Sequence, residues 1–256
     1  MTFVRERVLV AADAFENLVE SEGWKVNDPT QGQCRLCGKT FAKSGMGRHV
    51  RACRKRVDAT GRSHALLLEV TDRYVPGYWL FLEAAPTATW ADLDRFLRGI
   101  WLECCGHLSA FEYAGATFTS DPEGAREWAD RPRSMAGRLV GTVEPGTRFH
   151  YEYDFGTSSE LVGRALELVP SARAAHAIQV LARNEEPKRP CAECGQPATK
   201  VCGLCLGYRS SGDAACWYCG KCAAHHRCSD PGTDYFLPVV NSPRVGLCAY
   251  TGPAAG

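Results

Sequence analysis

The chain has 256 residues, 45% of them apolar and 23% charged, and its formal net charge is +1. This is the composition of a globular protein, and no stretch approaches the roughly 18 to 20 apolar residues that a membrane span requires. The N-terminal residues include Arg5, Glu6 and Arg7, whose charges exclude the apolar core of a secretory signal peptide.

The fourteen cysteines raise the possibility of a disulfide scaffold, which is the framework of many small secreted domains. A chain of 256 residues buries enough apolar surface to fold without such cross-links. Eleven of the fourteen cysteines instead fall into two short tracts that have metal-ligand spacing. We therefore expect reduced thiols, Zn2+ as the cofactor, a cytoplasmic location and no membrane partner.

Residues 1–30 are predicted to contain an N-terminal amphipathic helix over residues 5–22. Its apolar positions recur at helical spacing, as Val8, Phe15 and Leu18 illustrate, and Gly23 stands where a helix usually ends. A helix of this length is marginal alone, so we expect it to dock on another part of the chain or on a partner.

Residues 31–57 are predicted to form a zinc finger. Thiolates and an imidazole at finger spacing form closed tetrahedral Zn2+ sites, which are structural rather than catalytic. The module resembles the Cys2His2 finger family, with Phe41 and Met46 at the positions of its small core, although the loop is one residue shorter and the last ligand is a cysteine. The four candidate ligands follow the pattern C-x2-C-x11-H-x3-C and are Cys34, Cys37, His49 and Cys53.

The concentrated positive charge of the chain lies on and beside this module, because residues 31–62 contain nine basic side chains and one acidic one. Of the three positions that usually read bases in such fingers, only Arg48 is suited to that task, since the others are Gly45 and Ala42. We therefore predict weak, sequence-independent and salt-sensitive contact with nucleic-acid phosphates. Alternatively, the module caps the next domain and its charges are only solvated. The candidate contact residues are Lys39, Lys43, Arg48, Arg51, Arg54, Lys55 and Arg56.

Residues 63–186 are predicted to form a compact central α+β domain, so the fold class is α+β with small zinc-stabilised modules at both ends. A helix is predicted over residues 89–105, capped by Thr87 or Thr89, because its apolar residues recur at helical spacing. Alternating apolar and polar residues, or short apolar runs, predict strands at HALLLEVTD, GYWLFLEAA, HLSAFEYAG, TRFHYEYDFGT, ELVGRALEL and AIQVLARNE.

The order strand, strand, helix, FEYAG and then PGTRFHYEYDFG resembles the pRiA4b open-reading-frame-three-like family over roughly residues 64–186. The domain that defines this family also occurs in a passenger protein of a bacterial insertion element. The resemblance implies an α+β domain and an association with mobile elements. Where many members continue with an acidic residue, a tryptophan and a histidine, this chain has Thr157-Ser158-Ser159-Glu160-Leu161.

One polar cluster in this domain could carry chemistry: strand alternation places His150, Glu152 and Asp154 on one face and the neighbouring aromatic residues on the other. Two carboxylates and a histidine could bind a metal or serve acid–base catalysis. The alternative is a solvated strand face over an aromatic core, and we favour it because no second set of matching groups is evident. We therefore predict that the protein is not an enzyme and has no catalytic residues.

Cys104 and Cys105 form a vicinal pair at the end of the predicted helix. They could be a redox couple, but free cysteine more often packs as a small apolar residue, and we favour that interpretation. His64, His107 and His176 are isolated in sequence and are predicted to be structural.

Residues 187–256 are predicted to form a cysteine-rich module that binds two Zn2+ ions, which brings the total to about three per chain. Two CxxC pairs followed by further ligands allow a cross-brace, in which alternate pairs share a metal. The pattern resembles treble-clef and MYND-like fingers, which are usually protein-interaction modules. Cys216 and His225 are surplus ligands that could replace a neighbour, and Cys248 has no assigned role. The predicted ligands are Cys191, Cys194, Cys219 and Cys222 for one ion, and Cys202, Cys205, His226 and Cys228 for the other.

Three functions follow from these patterns. The leading hypothesis is a zinc-stabilised bacterial binding protein of a mobile-element-associated family, which contacts nucleic acid through the basic first module without catalysis. The second is a protein-interaction adaptor that uses the C-terminal cross-brace module. The third is an enzyme with a polar site around His150, Glu152 and Asp154.

Overall fold

The computed structural model describes residues 30–57, 63–171, 176–208, 216–227 and 235–253. The amphipathic helix predicted over residues 5–22 lies outside these ranges. The described residues fall into two compact units, one within residues 26–187 and 240–256 and the other within 188–239. Among the described helices, none combines the length and the apolar character needed to cross a membrane.

The first unit is built on a sheet of ten strands with two main helices. The helices are α1 (Lys43–Val57) and α2 (Trp90–Leu97), and a π-helical turn (Arg98–Leu102) continues α2. A short 3-10 turn (Gly124–Glu127) follows later in the chain. The strands are β1 (Gln31–Cys34), β2 (Thr40–Ala42), β3 (Ser63–Asp72), β4 (Trp79–Ala84), β5 (Ser109–Tyr113), β6 (Ala116–Thr119), β7 (Pro132–Ser134), β8 (Arg148–Tyr153), β9 (Ser159–Ser171) and β10 (Ile178–Asn184).

The strands of this sheet lie in the order β2-β1-β10-β4-β3-β9-β8-β5-β6-β7. All neighbouring strands are antiparallel except β6 and β7, which are parallel. Residues alternate between the two faces, so β3 sends Leu66 and Leu68 to one core and Ala65 and Leu67 to the other. The sheet is therefore covered on both faces along its centre.

Helix α2 covers the larger core, where Trp90, Leu93 and Leu97 pack against buried residues of the sheet. The helix begins at a capping box, because the Thr89 hydroxyl accepts a hydrogen bond from the Asp92 backbone N–H and the Asp92 side chain accepts one from the Thr89 backbone. Gly163 lets strands β8 and β9 pair here, since a Cβ at this position would lie 2.0 Å from the Phe149 ring.

Helix α1 covers the smaller core on the opposite face. Met46, Val50 and Cys53 of the helix are buried there, beside Leu67 and Phe81 of the sheet. Strand β1 packs so closely against its neighbours in the sheet that position 32 has no room for a side chain. A Cβ on Gly32 would lie 2.2 Å from the Arg183 carbonyl oxygen and 2.4 Å from the Trp79 ring.

The α+β class is found, with a large mixed sheet and few helices, but the boundaries of its parts differ from those predicted. Residues 31–57 are joined to the central domain, since β1 pairs with β10 and α1 shares an apolar core with β3 and β4. Residues 240–253 also belong to the first unit rather than to the cysteine-rich module. The predicted helix over 89–105 changes to a π-helical turn after Leu97, and β6 and β7 were not predicted.

The second unit is small and contains a three-stranded sheet. Its strands are β11 (Lys200–Cys202), β12 (Trp217–Tyr218) and β13 (Phe236–Pro238), in the order β12-β11-β13. Its helices are α3 (Gly203–Tyr208) and α4 (Gly220–Ala223). One buried cluster of this unit contains two cysteines and consists of Cys191, Cys202, Tyr218 and Ala223. Val201, Trp217 and Leu237 are buried as well.

Candidate metal centres and a basic cleft

The ligand atoms of the first predicted metal set lie together, all within 4.8 Å of one another. Cys34 ends β1 and Cys37 lies in the following turn, where Gly38 adopts a φ of +72° and donates a backbone hydrogen bond to the Cys34 carbonyl. His49 and Cys53 are four residues apart on α1, so their side chains lie on the same face of the helix, which is the face toward Cys34 and Cys37. The distance from Cys37 Sγ to His49 Nε2 is 3.2 Å.

Burial raises the pKa of Cys53 to about 11, so this thiol is protonated near neutral pH when no cation is bound. A metal bound through Cys53 must therefore displace a proton, which makes its affinity depend on pH. The imidazole of His49 stacks on Phe41 with the ring centroids 4.4 Å apart. This contact orients the histidine toward the thiols.

Two further ligand sets lie in the second unit, and they group the cysteine pairs as the predicted cross-brace does, with alternate pairs together. Cys191 and Cys194 meet Cys219 and Cys222, and all four sulfur atoms lie within 4.8 Å of one another. The separate set of Cys202, Cys205 and His226 is equally compact. Its predicted fourth ligand, Cys228, lies outside the described residues. Neither Cys216 nor His225 belongs to any of the sets found among the described residues.

The local backbone explains how the second unit forms these sets. Gly195 adopts a φ of +71° directly after Cys194, and its N–H donates to the Cys191 carbonyl at 3.0 Å. Cys219 precedes α4, and its sulfur accepts a hydrogen bond from the Cys222 backbone N–H at 3.5 Å. The Cys194 and Cys219 sulfur atoms are 3.7 Å apart, and Cys205 Sγ lies 3.4 Å from His226 Nε2.

A fourth set was missed by the sequence patterns. Cys104, Cys105, His107 and Cys248 place their ligand atoms within 4.8 Å of one another in the first unit. Cys105 Sγ lies 3.6 Å from the sulfur atoms of both Cys104 and Cys248, and 2.8 Å from His107 Nε2. The prediction that Cys104 and Cys105 are small buried residues is wrong for Cys105, which is exposed, and His107 is not isolated.

Three of the four residues of this set lie close together in the sequence, as Cys104-Cys105-x-His107, and this spacing could have indicated a metal site. Its completion was not visible, because Cys248 lies 141 residues beyond His107 and belongs to no CxxC pair. Only the docking of the C-terminal residues brings this cysteine to the tract.

The polar cluster predicted on β8 is split in the structure. Strand β8 ends at Tyr153, and Asp154 adopts a φ of +65°, so Asp154 does not share the strand face with His150 and Glu152. His150 is exposed, and Glu152 accepts a hydrogen bond from the Ser158 hydroxyl at 2.6 Å. The three side chains therefore do not form one site.

Asp154 instead forms a buried ion pair with Arg244. The Arg244 guanidinium donates to Asp154 Oδ2 at 2.5 Å and to the Thr157 carbonyl at 2.9 Å, and its side chain is fully buried. Burial alone would raise the pKa of Asp154, but hydrogen bonds from Arg244 and from the backbone of Thr157 and Gly156 hold it below its usual value. His107 Nε2 lies 3.4 Å from the same Asp154 oxygen, which places this ion pair beside the fourth ligand set.

The predicted nucleic-acid contacts differ in their availability. Arg54 is buried and forms a bidentate ion pair with Glu83, with 2.8 Å between Arg54 Nη2 and Glu83 Oε1, so it presents no charge to a ligand. Lys43 donates to the Thr71 hydroxyl at 2.7 Å and lies 3.1 Å from Glu69. The remaining described residues of the prediction keep open surface: Lys39 and Arg48 are exposed and Arg51 is partly exposed. The side chains of Lys55 and Arg56 lie outside the described part.

A cleft of about 690 Å3 opens between α1 and the sheet face formed by β3 and β9. Four of its lining residues are basic and one is acidic: Lys43, Arg48, Arg51, Arg164 and Glu69. Arg164 comes from β9 and is exposed, and its cross-strand neighbour on β8 is the exposed Arg148. The sequence patterns did not point to these two arginines, because they lie more than 90 residues beyond the finger and only strand pairing brings them to this face.

Comparisons with known proteins add little to this geometry. No protein-family model matches the sequence, and no curated protein matches it either. Among solved structures, the chain is similar to a protein of unknown function, MM3350, from Methanosarcina mazei Go1. The two share 15% identity over 48% of this chain and 70% of that chain, with a TM-score of 0.40. A likeness this weak supports no conclusion about function.

Proposed function

We propose that this chain is a zinc-stabilised binding protein, without catalysis, that contacts the phosphate backbone of nucleic acid through the cleft between α1 and the sheet. The main support for this proposal is the positive charge of the cleft, which is lined by four basic residues and one acidic residue. Lysine and arginine at such a surface neutralise phosphates and release counterions, which gives binding that weakens as salt rises.

The proposed metal is Zn2+, at about three ions per chain in the three sets predicted from spacing. Sets made only of cysteine and histidine favour Zn2+ over the oxygen-preferring Mg2+ and Ca2+. Four ligands close the coordination shell, so the metal would hold the backbone rather than bind a substrate. In the first set, Zn2+ would join the turn at Cys34 and Cys37 to helix α1, which forms one wall of the cleft.

The cleft suits a phosphate backbone better than base edges. Gly45 and Gly47 of α1 carry no side chain, and the helix turns Met46 and Val50 into the core of the sheet. Of the positions on α1 that usually read bases, only Arg48 has a long side chain, and one such residue gives little base discrimination. The proposal is therefore weak and sequence-independent binding, with Arg48, Arg51 and Arg164 as its main contacts and Lys39 beyond the cleft.

Three wider statements belong to the same proposal. The chain is a member of the pRiA4b-like family and is associated with bacterial mobile elements, as the FEYAG and FHYEYDFG segments suggest. It works in the reducing cytoplasm, where thiolates remain available to zinc. The polar residues of β8 are not catalytic, since Asp154 is committed to Arg244 and lies off the strand face.

A binding titration tests the nucleic-acid contact. Fluorescence anisotropy with labelled single-stranded and duplex oligonucleotides should show that the double variant Arg48→Glu/Arg164→Glu binds at least tenfold more weakly than the natural chain. The slope of log affinity against log salt should become less steep by about two, since two phosphate contacts are lost. The matched control is Arg126→Glu, because Arg126 is exposed and does not line the cleft.

Equal affinity for the natural chain and the double variant would contradict the cleft as the binding surface. If neither protein bound nucleic acid in low salt, the adaptor hypothesis would take precedence. A pull-down with the second unit intact, compared with one after chelation, would then test for a protein partner.

A further inference from the structure

We propose that Cys104, Cys105, His107 and Cys248 form a fourth structural Zn2+ site, which fastens the C-terminal segment of residues 240–253 to the first unit. This site is independent of the three sets predicted from spacing and of the proposed nucleic-acid contact. It assigns a metal-ligand role to Cys248 and to the vicinal cysteine pair.

The distances between the sulfur atoms fit one tetrahedral ion. Bonds of about 2.3 Å to sulfur and about 2.0 Å to nitrogen place the ligands of a zinc tetrahedron roughly 3.5 to 3.8 Å apart. The sulfur of Cys105 lies 3.6 Å from those of Cys104 and Cys248, which is the tetrahedral spacing. His107 Nε2 lies closer than that spacing, at 2.8 Å from Cys105 Sγ and 3.3 Å from Cys248 Sγ, so the imidazole would move outward by less than about 1 Å when an ion binds. The sets predicted from spacing show the same scale, with 3.7 Å between the Cys194 and Cys219 sulfur atoms.

A disulfide explains the cluster less well. A disulfide bond is about 2.05 Å long, whereas Cys105 lies at the same 3.6 Å from two different sulfur atoms. A sulfur that is shared equally between two neighbours, with an imidazole nitrogen facing it, corresponds to a common central ion rather than to a pair. The donor set of three cysteines and one histidine is a known composition of structural zinc sites.

The backbone at Cys248 supplies an independent observation. Cys248 and Ala249 both adopt the left-handed conformation, with φ values of +46° and +56°. Residues other than glycine hold this conformation at a cost in free energy, and they do so where surrounding contacts determine it. A bond from the Cys248 sulfur to a metal is such a contact, because the turn is what directs this side chain to Cys105 and His107.

Hydrogen bonds and an ion pair already hold the residues that precede Cys248. The metal would add a further attachment at Cys248 itself. The Ser242 hydroxyl donates to the Trp101 carbonyl at 2.6 Å, and Arg244 is paired with Asp154. The Asn241 side chain donates to the Asn184 carbonyl at 2.9 Å. These bonds anchor residues 241–244, whereas the metal would anchor the end of the segment.

The test is the number of zinc ions lost when one ligand is removed. Elemental analysis and native mass spectrometry of the full chain, purified under reducing conditions, should find one zinc ion fewer in Cys248→Ser and in His107→Asn than in the natural chain. The matched control is His64→Asn, because His64 is exposed and belongs to none of the four sets. The control should keep the full number of ions.

Hydrogen exchange distinguishes loss of the site from loss of the fold. In Cys248→Ser the amides of residues 246–253 should exchange faster, while those of β3 and β9 keep their protection. Loss of protection in β3 and β9 as well would show that Cys248→Ser unfolds the unit, and would overturn the proposal of a local fastening site.

Two other results would overturn the proposal. One is an unchanged zinc count in both Cys248→Ser and His107→Asn. The other is recovery of a Cys104–Cys105 disulfide peptide from natural protein kept anaerobic, since a redox pair cannot also supply two thiolates. Failure of nucleic-acid binding would not affect either measurement, because the counts compare variants of this set alone.

Discussion

Single residues in this protein show how burial changes the chemistry of a side chain. Asp72 ends β3, and its carboxylate accepts hydrogen bonds from the backbone N–H groups of Tyr74 and Val75 at 3.0 and 2.6 Å. These bonds hold the turn into β4, but the side chain is almost wholly enclosed. Burial, with a smaller contribution from Glu160, raises the pKa of Asp72 to about 7.

This pKa predicts a pH-dependent stability. The folded state binds a proton more tightly than the unfolded state, so the free energy of unfolding should fall as pH rises from about 4 to about 7, by up to about 1.4 kcal/mol per pH unit. Asp72→Asn keeps an oxygen acceptor for the turn and carries no charge, so this dependence should largely vanish. Urea unfolding at a series of pH values measures it.

The control for this measurement is Glu123→Gln, because the Glu123 side chain is 77% exposed. It should leave the pH profile unchanged. A natural chain whose stability rises between pH 5 and pH 7, with no difference from Asp72→Asn, would contradict the prediction.

At the scale of elements, helix α1 is held to the sheet by apolar packing and by one buried ion pair. Arg54 of α1 and Glu83 of β4 have side-chain exposures of only 7% and 6%. Arg54 also donates to the Pro170 carbonyl at the end of β9, at 3.4 Å. The ion pair therefore positions the helix that forms one wall of the cleft, even though Arg54 makes no contact there.

Removing one partner should be costly, because it leaves the other charge buried and unpaired. We expect Glu83→Ala to lower the free energy of unfolding by about 3 to 5 kcal/mol. The double variant Arg54→Met/Glu83→Leu should regain most of this stability, because apolar residues of similar size replace a buried ion pair at little cost. Chemical denaturation of the three proteins provides the comparison.

The exposed pair of Arg126 and Glu123 offers a matched control, since its side chains are 68% and 77% exposed. Glu123→Ala should change stability by less than about 1 kcal/mol. A loss equally small for Glu83→Ala would show that the buried pair does not hold the helix.

At the scale of the whole molecule, the two units differ in what stabilises them. The first unit has two apolar cores on either side of a ten-stranded sheet. Among its described residues the second unit buries far fewer apolar side chains, and two residues of its cysteine-containing cluster are predicted metal ligands. A unit with so small an apolar core would depend on the proposed zinc ions, since the binding energy of a structural site is its folding energy.

Removal of zinc by a chelator should therefore unfold the second unit and leave the sheet of the first unit folded. With a strong chelator under reducing conditions, amides of the second unit should exchange at unfolded rates, while those of β3, β8 and β9 stay protected. Helix α1 should loosen without unfolding completely, because Met46 and Val50 remain packed on the sheet. Hydrogen-exchange mass spectrometry with and without chelator measures all three regions.

The same experiment with zinc restored provides the control, and protection in the second unit should return. If β3, β8 and β9 lost protection together with the second unit, the cores of the first unit would not be sufficient for its stability.

Features that depend on local order can be predicted from the amino-acid sequence of this chain. The strands at HALLLEVTD and GYWLFLEAA and the pairing of Cys191 and Cys194 with Cys219 and Cys222 follow from periodicity or ligand spacing. The sequence narrows the start of helix α2 to Thr87 or Thr89, and the structure has Thr89 as the cap. These patterns are readable because the interacting residues recur at intervals that the backbone geometry of a helix, strand or turn imposes.

Contacts between segments that are distant in sequence became visible only in the folded chain. Pairing of β1 with β10 made residues 31–42 part of the sheet, and pairing of β3 with β9 brought Arg164 beside Glu69 in the cleft. The positive φ at Asp154 moved its carboxylate from the β8 face to Arg244, and docking of the C-terminal segment completed the set around Cys105. Such contacts depend on packing between segments separated by tens of residues or more, and no periodic pattern along the chain records that packing.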